Sequence, residues 1–251
     1  MSEKCSKPFP TPDEALRLQM FDNGVEEGVK VAFTLGVPPL RHLQVAADMM
    51  TKAAERCNLS ATTKGGLSML YGPALGDLEL RHELATYLTK TLDQPVDRDN
   101  LQLFCGATHA IHVVTTVFFK SGTPVFIENP CYHASVFMLR DDLHMKLVPV
   151  PTDENGMNLD ELERLVNLHK VSECDNPVFN AMIYSIPIYH NPAGFVMPPD
   201  RCRRLVEIAR KYNLLLFSDD VYQLLHYDDD KPVPRPLDFD NELGFCNITL
   251  L

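Results

Sequence analysis

Residues 101–132 read LQLFCGATHAIHVVTTVFFKSGTPVFIENPCY, and their pattern decides the fold class. LQLFC (101–105) is a short, almost continuous apolar run closed by Gly106. A run of that kind reads as a strand buried on both faces. From residue 107 to 119 the spacing changes: Ala107, Ala110, Ile111, Val114, Val117 and Phe118 recur three and four apart, which puts them on one side of a helix. Ser121-Gly122-Thr123 then breaks the chain, and PVFI (124–127) begins another apolar run. Strand, helix and strand over about thirty residues is the unit from which parallel sheets are built.

The same alternation continues downstream. MKLVPV (145–150), FNAMIYSI (179–186) and LLLFS (214–218) read as further buried strands, with helices expected at 159–169 and 200–212 between them. The first of these helices opens on Asn158 with Glu161 three residues later, a pattern resembling a capping box. Upstream, helical spacing covers 41–57 (Leu43, Ala46, Ala47, Met50, Ala53, Ala54, Cys57) and 77–91 (Leu80, Leu84, Tyr87, Leu88), with an extended arm before them. The expected fold is α/β, a three-layer α-β-α sandwich around a mostly parallel sheet. It carries an N-terminal arm and helix, with a boundary between 1–65 and 66–251.

Composition narrows the function. With 251 residues, 45% hydrophobic and 23% charged, the chain can build a sizeable core. A formal net charge of -11 argues against a general nucleic-acid binder, because that affinity needs Lys and Arg against phosphates. The seven cysteines are scattered, odd in number and without a C-x-x-C pair, which suggests neither a disulfide framework nor a zinc ribbon and fits a reducing compartment, the cytoplasm or else the mitochondrion. No apolar run is long enough for a membrane span, and the start resembles neither a signal nor a transit peptide, so Asn58 and Asn247 are expected to stay unglycosylated. His109 and His112 have no matching ligand cluster and read as ordinary helix residues, so no metal is expected; no G-x-G-x-x-G follows a strand.

Ligands of open α/β sheets bind beyond the carboxyl ends of the strands, so the residues after each expected strand are the candidates. Gly106 permits a tight turn into a helix whose first N–H groups, on Ala107 and Thr108, together with the Thr108 hydroxyl, suit a phosphate. Tyr132, after Asn129-Pro130, offers a flat face for a planar ring. Asn191 in HNPAG offers an amide donor for a phenolate-type oxygen. Asp219 and Tyr222, three apart, can bring a carboxylate and a phenol into one pocket. Taken singly, each has an ordinary structural reading: a strand-to-helix turn, core packing, a loop turn, a helix cap with a surface tyrosine.

Taken together and in order, the four turns resemble the cofactor-binding segments of the aspartate-aminotransferase superfamily, the class I/II, fold-type-I enzymes that use pyridoxal 5'-phosphate. YGPALGDLELRHELATYL (71–88) resembles that family's Y-G-x-x-x-G-x-x-x-L-R stretch at Tyr71, Gly72, Gly76, Leu80 and Arg81. The resemblance runs from about Phe33 to about Tyr227 and makes the second domain a partial cofactor-binding large domain. It implies that Ala107 and Thr108 hold the cofactor phosphate and that Tyr132 stacks on the pyridine ring. Asn191 and Tyr222 would bond the ring's 3-oxygen, and Asn191 would also lie beside the substrate. Asp219 would pair with the ring nitrogen, keeping it protonated. Asp220 competes for that role, but strand alternation should turn it away. Tyr71 would reach the phosphate in a partner subunit, implying a homodimer, and Gly36 would let backbone approach the substrate. The wording of YGPALG, HNPAGF and DDVYQLL is nearest the 2-aminoadipate, kynurenine and aromatic branch, with an α-amino acid and a 2-oxo acid as substrates.

One part of the family pattern is missing. Its enzymes carry a Schiff-base lysine roughly thirty residues beyond the aspartate. Here Leu251 lies thirty-two residues past Asp219, and the only lysine after Tyr222 is Lys231, within HYDDDKPVPRP. The domain is therefore expected to be incomplete at its carboxyl end, and the polypeptide as it stands inactive or nearly so. Alternatives are a truncated, non-catalytic protein that binds pyridoxal phosphate or pairs with a full-length subunit, and a carbon-sulfur lyase once completed.

Overall fold

In a computed structural model of the chain, the described residues are 38, 40–63, 70–169, 178–225, 233–242, 244 and 248–250. Six strands form one sheet in the order β3-β2-β1-β4-β5-β6: β1 (Pro124–Asn129), β2 (Lys146–Asp153), β3 (Gly156–Met157), β4 (Ala181–Ser185), β5 (Leu214–Ser218) and β6 (Ile248–Leu250). All neighbours are parallel except β3, which turns back on β2 with Thr152 opposite Met157. Phe126 of β1 stands between Val148 of β2 and Ile183 of β4, and Ile183 in turn faces Leu216 of β5.

Every residue of β4 and β5 is buried, so both faces of the sheet must be covered. The covers follow the two-residue period of the strands. Phe126, Ala181, Ile183, Leu214 and Leu216 face α5 (Leu159–Leu168), α6 (Pro199–Lys211) and α7 (Pro236–Glu242). Val125, Ile127, Met182, Tyr184, Leu215 and Phe217 face α3 (Ala107–Phe118) and the π-helical turn Met138–Asp142 that follows the short α4 (His133–Phe137). The result is a three-layer α-β-α sandwich. The chain leaves β1 toward β2 on one side and later crosses through α5 to β4 on the other, so the connections diverge between β1 and β4. That divergence opens the crevice in which such sheets bind ligands.

The chain divides into two compact units, Met1–Tyr71 and Gly72–Leu251. The first contains α1 (Leu40–Thr63), whose Leu43, Met49 and Met50 are exposed. In the second, α2 (Leu78–Leu92) is capped by the Asp77 carboxylate on the Leu80 N–H. Asn158 caps α5 by accepting the Glu161 N–H, the first half of the expected capping box.

One expected strand is absent: residues 101–105 take no strand pairing. Their backbone makes a single lateral bond, from the Leu103 N–H to the Leu75 carbonyl, and no neighbouring strand flanks them among the described residues. The apolar run serves packing instead. Leu103 lies against Gly76, where an added Cβ would fall 2.6 Å from the Leu103 Cγ in a backbone of φ +99°. Arg81 is buried beside it and donates to the carbonyls of Gly76, Arg98 and Leu101, so the family-like glycine and arginine of this stretch act as a structural clamp. Gly76→Ala is expected to destabilise the chain by about 2–4 kcal/mol, combining a left-handed backbone with overpacking. Urea unfolding checks this, and an unchanged midpoint would refute the clamp.

Candidate functional site

Three neighbouring parallel strands end at one edge, and the anticipated residues stand on the loops that leave it. Tyr132 follows β1 by three residues, Asn191 follows β4 by six, and Asp219 follows β5 directly. The Asn129-Pro130 and Asn191-Pro192 bonds in these loops are cis. Tyr132 and Tyr222 are half-buried against the same apolar cluster that holds Tyr184 and Phe217. α3 lies on that face through Ile111 and Val114 and ends at Phe118, just before β1 starts. Its twelve residues span about 18 Å, close to a strand length, which puts its beginning at the carboxyl edge.

That beginning is open to an anion. Gly106 is the N-cap with φ +84° and ψ 170°, a conformation reserved for glycine, and no side chain caps the helix. The N–H groups of the first turn have no acceptor within the helix. Thr108 is exposed and Ala107 half-buried. His109 is exposed, its Nδ1 accepting the Cys105 N–H at 3.1 Å.

Asp219 is the chemically unusual group. It is buried, and the Tyr184 hydroxyl donates to its Oδ2 at 2.6 Å, while Oδ1 has no partner. Ser135 lies 2.9 Å behind the Tyr184 oxygen; with the tyrosine proton committed to Asp219, the serine is the donor. Burial, chiefly, pushes the Asp219 carboxyl above its ordinary range; the Tyr184 hydroxyl and the Val221 N–H oppose the shift, and the negative charge of Glu128 adds to it. Burial and the neighbouring Asp219 hold the Tyr184 phenol well above its usual range. Cys131 is likewise pushed up to about 12, by burial first and Glu128 second, so its thiol stays protonated.

Asp220 points to the other face, where it accepts from Ser218 at 2.9 Å and lies in the field of Arg235 and Asp238. Of the other anticipated residues, Tyr71 ends the first unit and is fully exposed, while Gly36 and Lys231 lie outside the described residues. Tyr184, Ser135, Glu128 and His190 are not marked as site residues by the sequence. The one available signal is a glutamate at the end of an apolar strand. A surface hollow of about 720 Å³ beside α2, lined by His82, Lys90 and Arg98 among others, has no lining residue that follows a strand and no unpartnered buried polar atom. Among the described residues, no helix is long and apolar enough to cross a membrane, and no group of three or more ligating side chains could hold a metal.

Comparison with known proteins agrees with this geometry. The aromatic-amino-acid aminotransferase 1 of Thermococcus litoralis is 29% identical over 168 residues, 66% of this chain and 39% of that one. The α-aminoadipate aminotransferase of Thermus thermophilus, solved with N-(5'-phosphopyridoxyl)-L-leucine, superposes with a TM-score of 0.66 at 25% identity, covering 80% of this chain and 48% of that chain. The kynurenine aminotransferase of Pyrococcus horikoshii gives 0.64 at 26% identity, covering 80% and 47%. The chain thus spans about two fifths to half the length of these relatives. A family model described as aminotransferase class I and II matches residues 30–246, and with the three-layer fold shared with these solved structures this establishes that the chain belongs to the class I and II aminotransferases of fold type I.

Proposed function

We propose that residues 1–251 form the cradle for pyridoxal 5'-phosphate in an enzyme that transfers an amino group between an α-amino acid and a 2-oxo acid. The observation that carries this reading is the unpartnered Asp219 Oδ1, buried at the strand edge beside a carboxylate oxygen already fixed by Tyr184. A buried acceptor in that state calls for a cationic donor, and a protonated pyridine nitrogen is one. When bound, the cofactor supplies an electron-accepting ring that withdraws charge from the substrate α-carbon.

The chain's own residues would do the rest. Asp219 holds the ring nitrogen's proton, Ser135 and Tyr184 hold Asp219 in place, Tyr132 stacks on the ring from the side of the apolar cluster, and the Tyr222 hydroxyl bonds the ring's 3-oxygen. Asn191, half-buried, donates to the 3-oxygen, and the uncapped start of α3 with Thr108 receives the phosphate. A homodimer, with Tyr71 reaching the partner's site and Gly36 lining the substrate, completes the proposal. The free thiols at Cys57, Cys105, Cys131 and Cys202 suit a reducing, cytoplasmic setting.

Within residues 1–251 only Lys231 follows Tyr222. A polypeptide of these residues alone is therefore proposed to bind the cofactor without turning substrate over. Titration with pyridoxamine 5'-phosphate, which cannot bond covalently to lysine, tests the reading. One saturable site per chain, unaffected by Lys231→Met, is expected; absence of saturable binding would refute it.

A further inference from the structure

A second buried polar cluster lies under the loop that carries Asn191, on the sheet face opposite Tyr184 and Asp219. Glu128, at the end of β1, is fully buried and accepts from the Ser185 hydroxyl at 2.7 Å and the Ile186 N–H at 2.9 Å, both on β4 or just beyond it. His190 Nε2 stands 3.1 Å from Glu128 Oε2, and neither side chain has any exposure. The ring N–H is not aligned for a hydrogen bond at that oxygen, so the contact is electrostatic. The other ring nitrogen, Nδ1, accepts the Ala193 N–H at 3.1 Å, which requires a lone pair there and puts the imidazole proton on Nε2, toward Glu128. The ring also stacks on Phe195 at 4.3 Å, and the main chain closes around it through His190 N–H to Phe195 carbonyl and Gly194 N–H to His190 carbonyl.

Asn191 is the residue enclosed by these contacts. Its neighbour on one side is His190, and two residues on is Ala193, whose N–H the same imidazole holds. A buried acid and imidazole are not needed to close such a turn, since apolar side chains of equal volume would do so without the loss of hydration. They sit where the connections leaving β1 and β4 diverge, tying the end of one strand to the loop after the other.

We propose that Glu128 and His190 are positioning residues that fix the Asn191 amide for the 3-oxygen of the pyridine cofactor. The inference rests on the cofactor reading of the pocket given above. Neither residue touches the cofactor; each acts through the loop, so its effect passes through Asn191 and is not additive with the loss of that amide.

The test measures pyridoxamine 5'-phosphate binding to the 251-residue chain, together with the absorbance titration of the bound ring's 3-hydroxyl. His190→Phe should weaken binding about tenfold and raise the pH at which the 3-hydroxyl ionises, because its anion loses a well-placed donor. Asn191→Ala should do the same, and the double variant should bind no more weakly than Asn191→Ala alone. His190→Asn, whose side-chain oxygen can stand where Nδ1 accepts the Ala193 N–H, should recover part of the loss. Glu128→Gln keeps the side-chain volume and an acceptor, carries the same expectation as His190→Phe, and replaces it should that variant not fold. A merely structural role would lower thermal stability and leave the 3-hydroxyl titration where it was, overturning the proposal, as would full additivity with Asn191→Ala. A wild-type chain that takes up no pyridoxamine phosphate overturns the pocket reading and this inference with it. A chain that binds, loses binding with Asp219→Ala and is indifferent to His190→Phe overturns the inference alone.

Discussion

Asp219→Ala weakens binding of pyridoxamine 5'-phosphate at least about a hundredfold, yet leaves the free chain as stable at neutral pH as before or more so. The two halves of this expectation have one cause. In the free chain the carboxylate is buried, with Oδ1 unpartnered, and its folded pKa is raised, burial being the leading reason. A raised carboxyl binds its proton more tightly in the folded chain than in the unfolded one. Stability is therefore lost as pH rises from the ordinary carboxylate range through the raised value, and at neutral pH the ionised group works against folding. Alanine removes that burden and leaves Tyr184 its contact with Ser135. With a pyridinium in place the sign reverses, because the charge now has a partner. Deleting one member of a buried pair costs about 3–5 kcal/mol, which corresponds to a factor of about a hundred or more in affinity. Equal losses in stability and binding would mean that Asp219 is a structural residue.

The second large effect belongs to its neighbour. Asp220 faces the α6 and α7 side, its Oδ1 receiving the Ser218 hydroxyl and its Oδ2 unpartnered. Burial, opposed by Ser218 and the Arg235 guanidinium and reinforced by Asp219 and Asp238, pushes it up to about 7. Arg235 is held by Gln223 and Asp238 and forms no direct bond to it among those described. The folded chain therefore retains a proton on Asp220 that the unfolded chain releases near pH 4, and stability falls with rising pH between about 4 and 7. At about 1.36 kcal/mol per pH unit the loss is on the order of 3–4 kcal/mol. Asp220→Asn, which keeps the acceptor for Ser218, abolishes that share of the slope. Urea unfolding from pH 4 to pH 8 should show the variant gaining about 3 kcal/mol on the parent chain across the range. Parallel curves would place the proton elsewhere.

The opposite facing of these two aspartates is legible in the sequence, because period two is a property of extended backbone. LLLFS (214–218) matches its strand to the residue, and α3, α5 and α6 lie within one residue of their expected ends, since their apolar spacing is sustained and their caps are local. Residues 101–105 mislead because an apolar run reports packing, not lateral pairing: Leu101, Leu103 and Phe104 are only half-buried, and Leu103 packs against Gly76. β3 is two residues long, and α7, PLDFDNE, lacks a sustained apolar period, so neither carries a periodic signal. The roles of Glu128 and Tyr184 are hidden for a different reason. Glu128 stands out as a charge at the end of an apolar run, but what it and Tyr184 do is set by the neighbouring strand: Ser185 for one, Asp219 beyond β5 for the other.

In a crystal structure of the chain soaked with pyridoxamine 5'-phosphate, the ring nitrogen is expected about 2.7–3.0 Å from Asp219 Oδ1, with the phosphate at the start of α3. A ligand bound elsewhere, or a ring whose nitrogen faces solvent while Asp219 Oδ1 stays without a partner, would contradict the cofactor reading.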